Sequence, residues 1–162
     1  TLFNELKKIE LYCKGGEKIS TEYLLKLTNL IENHSISELV DNCLAKEPKK
    51  ISNILNENNF SNEDCILIIR TFLNKSKKIL ILSNDFNKNK DIEKTISAAK
   101  PPIFWKDKEI TIKQIMLWKP ENLKKLIYKL NDIELQIKKN LSNSLQVVTD
   151  FILEIPLTDP NN

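Results

Sequence analysis

Glycine is almost missing from this chain, with two residues in 162, adjacent at Gly15-Gly16. A phosphate-cradling loop of the form G-x-x-x-x-G-K-[ST] cannot be written with that pair, so the chain carries no nucleotide-binding loop of its own. Arginine is scarcer, Arg70 being the only one among 25 basic residues. Bidentate recognition of guanine or phosphate calls for several arginines, which argues against sequence-specific reading of DNA. His34 is the sole histidine, and no second His, Cys or carboxylate cluster stands near it. It reads as a solvated linker residue, not a metal ligand or an acid-base catalyst. Cys13, Cys43 and Cys65 are odd in number, far apart and flanked by apolar residues. Small buried thiols in a reducing cytoplasm fit that pattern better than a disulfide or a metal site. No apolar run approaches the roughly 20 residues of a membrane span. There is no secretory signal, and a first residue of Thr1 instead of Met suggests a piece cut from a longer chain.

What is present is ordinary for a soluble protein: 41% hydrophobic and 29% charged residues, in a length that suits one domain or one domain and part of another. The net charge of +3 and pI near 8.6 rest on Lys. The run from Ser61 to Leu82 organises the rest. Ser61 followed by Asp64 resembles a capping box with a shortened acid, and no Gly or Pro interrupts what comes after. One long helix is expected, with Cys65, Ile69, Phe72, Ser76, Ile79 and Ser83 on one face. Ile66, Leu67, Leu80 and Ile81 make it apolar over most of its circumference, so cover on most sides is expected. Two buried strands, Cys65 to Ile69 and Ile79 to Leu82, are the competing reading, because short Ile-rich runs do not separate by periodicity alone.

Around that run the chain punctuates itself as helices. Leu2, Leu6, Ile9 and Cys13 form an apolar face ended by Gly15-Gly16. Ser20 or Thr21 caps a second helix bearing Leu24, Leu27 and Ile31. Glu32-Asn33-His34-Ser35 is polar and helix-averse, the best domain boundary. Ser37 is placed to cap a helix through Leu39, Val40 and Cys43, and Pro48 opens another with Ile51, Ile54 and Leu55. Asn84 to Lys90 reads as a polar loop after the long helix, and Asp91 as the cap of a short helix to Ala98. Lys100-Pro101-Pro102-Ile103-Phe104-Trp105 is expected to be extended, since prolines withhold a donor and constrain their predecessors, and to insert Phe104 or Trp105 into a groove between helices. A helix over Ile110 to Trp118, one from Pro120 through Leu123, Ile127, Leu130 and Ile137, and a last one bearing Leu145, Val148, Phe151 and Ile152, stopped by Pro156, complete an all-α helical bundle.

Several stretches, in order, resemble the C-terminal half of the delta-subunit family of bacterial DNA polymerase III clamp loaders. They are Asn4-Glu5-Leu6-Lys7-Lys8 with Gly15-Gly16 and Ile19-Ser20-x-Glu22; Leu39-Val40-Asp41-Asn42-Cys43-Leu44; Ala99-Lys100-Pro101-Pro102-Ile103-Phe104; and Trp118-Lys119-Pro120-Glu121-x-Leu123 leading to Ile133-Glu134-Leu135-x-Ile137-Lys138. Each is a capped helix face and weak alone; their order and spacing span nearly the whole chain. The resemblance implies the end of a helical lid in residues 1–33 and a collar domain in 34–162, after an AAA+-like domain that this sequence lacks. It implies a subunit without ATP binding or hydrolysis, no cofactor, and partners that are the other clamp-loader subunits: delta prime and the ATPase subunits. The sliding clamp would be reached only by the absent N-terminal domain. Leu141 departs from the pattern, since some relatives place an aromatic there near the template strand, and stacking needs a flat ring.

The candidate subunit interface is therefore Pro101, Pro102, Ile103, Phe104 and Trp105, with packing into the chain's own core as the alternative. Trp118 is assigned to the core. Lys7-Lys8, Lys49-Lys50, Lys77-Lys78, Lys124-Lys125 and Lys138-Lys139 read as solvated helix faces first, and as a surface for nucleic acid second. Glu134 falls on the apolar stripe of its helix, needs a partner there, and finds a candidate in Arg70; as a catalytic acid it has no companion.

Overall fold

The chain divides into two compact units, Thr1–His34 and Ser35–Asn162. A computed structural model describes residues 34–157, so the helices expected before Asn33, the Gly15-Gly16 turn, Cys13 and the Lys7-Lys8 pair lie outside the described residues. Seven α-helices and no strand make up the described part, an all-α helical bundle. In chain order they are α1 over 34–44, α2 Pro48–Glu57, α3 Asp64–Asn89, α4 Ile92–Ser97, α5 Lys108–Leu117, α6 Pro120–Lys139 and α7 Ser144–Glu154. Short 3-10 turns at Trp105–Asp107, Leu141–Asn143 and Ile155–Leu157 complete them.

The long helix α3 has the strongest claim to order the bundle. Its six predicted face residues, Cys65 through Ser83, are all buried, and Phe72 meets Phe151 of α7 edge-on at 5.6 Å between centroids. Such a pair adds about 0.5–1.5 kcal/mol to the burial itself. Its start is the expected acid-back cap: the Ser61 N–H and Oγ both donate to Asp64 Oδ2, at 2.7 and 2.9 Å. One expectation fails along it. Residues 84–89 are helix, not loop, because Phe86 continues the apolar face and is half-buried against the core; the helix ends where Lys90 turns left-handed at φ 56 and its N–H reaches the Phe86 carbonyl. α3 is covered on most sides, as expected, with Leu67 and Ile81 left exposed.

α6 runs antiparallel to α3. Asn62, before α3, bonds the Ser142 carbonyl and the Leu145 N–H beyond the end of α6, Arg70 pairs with Glu134, and Ser83 bonds the Trp118 carbonyl just before α6 begins. Pro48 and Pro120 each occupy the first turn of their helices, where the missing N–H costs nothing. Asp91 caps α4 by accepting from the Lys94 N–H at 3.0 Å. Ser37 is not a cap: His34 and Ser35 are already helical, against the expected linker, and Ser37 instead accepts from Lys75 of α3 through Oγ and carbonyl at 2.7 and 3.0 Å. Lys75 also pairs with Asp41, whose carbonyl takes the amide of buried Gln114 at 2.9 Å, so one ammonium and one amide tie α1 to α3 and α5.

Candidate protein interface

Between α4 and α5 the chain must turn without a helix, since Pro101 and Pro102 supply no backbone donors. The Lys100-Pro101 peptide is cis. Ala99 closes the end of α4 through its N–H to the Ile96 carbonyl at 3.3 Å, and Asp107 closes the following turn onto the Phe104 carbonyl at 2.9 Å. An ion pair of Lys108 with Glu93, 2.8 Å, ties the beginning of α5 back to α4. The segment is therefore held at both ends.

Within it the expected insertion of Phe104 or Trp105 does not occur. Ile103 is the residue packed against the core. Neighbours in an extended stretch point to opposite sides, so seating Ile103 turns Phe104 outward, and Trp105 begins the 3-10 turn. Phe104 is 57% and Trp105 72% exposed. Pro101 and Pro102 are exposed as well. The two rings lean together, 5.8 Å between centroids and 48° between planes, and the Lys106 ammonium lies 5.4 Å from the Trp105 ring centroid. The five predicted interface residues thus form one surface feature in which four face water and one anchors them.

Other sequence-assigned residues fall elsewhere. Trp118 is in the core; its indole N–H donates to the Leu44 carbonyl at 2.7 Å, and Lys46 lies over its ring at 4.9 Å. Cys43 and Cys65 are buried free thiols, and burial raises both above the ordinary cysteine range, Cys65 to about 11. Glu134 pairs with Arg70 as expected, Nε to Oε1 3.1 Å, but its side chain is only partly buried. Lys138, four residues on, also bonds it at 2.7 Å. The bonds from Lys138 and then Arg70 hold its carboxyl below the usual carboxylate range. Sequence reasoning missed Lys138, although the i,i+4 spacing was there to read. Leu141, at the turn before α7, is exposed. The Lys pairs at 49–50, 77–78, 124–125 and 138–139 are all exposed. Among the described residues no group of three or more His, Cys, Asp or Glu is placed to hold a metal, and no helix is long and apolar enough to cross a membrane.

No protein-family model, curated protein or solved structure matches the chain.

Proposed function

We propose that this chain is the collar-bearing part of a clamp-loader delta-type subunit, a non-catalytic component that joins the other loader subunits through its helical bundle. The observation that carries the reading is the Phe104-Trp105 pair, set in the Ala99 to Phe104 stretch that bears the resemblance. Two adjacent aromatic side chains left in water, on a segment fixed at both ends, suit a surface that a protein partner covers. The all-α bundle and the missing phosphate loop agree with a subunit that positions neighbours and leaves ATP chemistry to them. Loading of a sliding clamp onto primed DNA would then be the work of the assembly.

Light scattering on a sizing column tests this, first with the chain alone and then mixed with the collar domains of the other loader subunits of the same organism. A defined larger complex, abolished by Phe104→Glu with Trp105→Glu while helicity is kept, is expected. Failure to associate, with the full-length subunit failing too, would remove the reading. The second reading, direct binding of single-stranded nucleic acid, is favoured by Trp105 standing exposed beside Lys106, a ring and a cation in the combination that stacking surfaces use. Tight binding by the chain alone that falls steeply with salt would select it.

A further inference from the structure

The chain has two tryptophans, one covered and one open. Trp118 lies in the core, and its cover combines apolar neighbours with an acceptor for the indole N–H and a cation over the ring. The acceptor is the Leu44 carbonyl at 2.7 Å, and the cation is Lys46, 4.9 Å from the ring centroid. Leu44 closes α1, and the last carbonyls of a helix have no partner within it, so an accepting oxygen is free there. Without that oxygen the indole donor would lose its water and gain nothing in return.

Trp105 has part of the same setting. Lys106 stands over its ring, 5.4 Å from the centroid, and Phe104 leans against it with centroids 5.8 Å apart. What is missing is the acceptor. Asp107 and Glu109, the nearest acids along the chain, make no bond to its indole N–H, and no other group among the described residues does. The donor is left to solvent, and whatever covers the ring must supply an oxygen in place of water.

We propose that the loader subunit covering this segment receives the Trp105 ring in an apolar pocket and presents an accepting oxygen to its indole N–H. This rests on the collar reading above and names the chemistry by which the neighbour recognises the segment. A wholly apolar pocket would hold the ring but bury an unpaired donor. A base stacked flat on the ring leaves the N–H, which lies in the ring plane, pointing past it into water. The state of that one proton therefore separates a protein pocket from a stacked strand.

The test follows the exchange of the indole protons with water by NMR, on the whole chain carrying isotope-labelled tryptophan, alone and mixed with the other loader subunits. In the free chain the Trp105 proton should exchange fast and that of Trp118 slowly; in the complex both should be slow. Trp105→benzothienylalanine replaces the N–H by sulfur and keeps the shape of the ring. It should weaken association about tenfold, as for one lost hydrogen bond whose acceptor stays buried, with circular dichroism unchanged. Two results would overturn the proposal and leave the collar reading standing: a complex in which the Trp105 proton still exchanges fast, or one that the sulfur analogue joins with full affinity. No complex, for this chain and for the full-length subunit alike, would remove both. Binding of a single-stranded oligonucleotide with the proton still fast, and no subunit complex, would select the stacked strand instead.

Discussion

At the level of single side chains, Glu134 shows how a charge is kept near an apolar stripe. It accepts from Lys138 within its own helix and from Arg70 across the interface, so its charged form is favoured and its carboxyl is held low. A carboxyl lowered in the folded state stabilises above its unfolded pKa, near 4.5, and that contribution is lost as pH falls through the folded value. Arg70 is well exposed, and screening limits the gain to under about 1 kcal/mol. Glu134→Gln should therefore lower the urea midpoint slightly at pH 7, and the difference should shrink as the pH is taken progressively below 4.5. Equal stability of variant and parent at pH 7 would show that the pair is geometric only. The exposed aromatics obey the opposite logic. Phe104 and Trp105 add little to the fold from where they stand, which separates assembly from stability in the double variant described above.

Among the elements, the ends of helices carry most of what was hard to read. Pro48, Pro120 and Asp91 announce their helices through their own backbone or side-chain chemistry, and the buried face of α3 follows from spacing alone. The end of α3 does not, because nothing in Asn84 to Asn89 shows that Phe86 will be seated, and the chain stops at a lysine, not a glycine or proline. Ile103, rather than the larger rings beside it, anchors its segment for the same kind of reason: three apolar residues in a row offer several candidates, and only the directions of α4 and α5 choose. Lys90 pays a steric penalty in the left-handed region that glycine would avoid. Lys90→Gly should raise stability by up to about 1 kcal/mol, seen as a higher melting temperature. Lys46, at φ 53, should give a smaller gain or a loss, since its ammonium sits over Trp118. A lower melting temperature for Lys90→Gly would mean that its side chain holds something the backbone does not reveal.

For the molecule as a whole, α3 spans 26 residues, about 39 Å at 1.5 Å per residue. It packs against α4, α5, α6 and α7, and Lys75 reaches α1 from its middle. These contacts tie α3 to five other helices, so it cannot loosen at its centre while they remain in place. Its central amides, from Phe72 to Ile79, should take up deuterium only when the entire bundle opens, and the opening free energies obtained from their protection factors should equal that of global unfolding. Amides of the six-residue α4 should exchange far sooner, through fraying that leaves the rest intact. Equal rates in the two would mean the bundle comes apart piecemeal. If they differ as expected, isotope uptake at those few positions becomes a clock for every complete opening of the molecule.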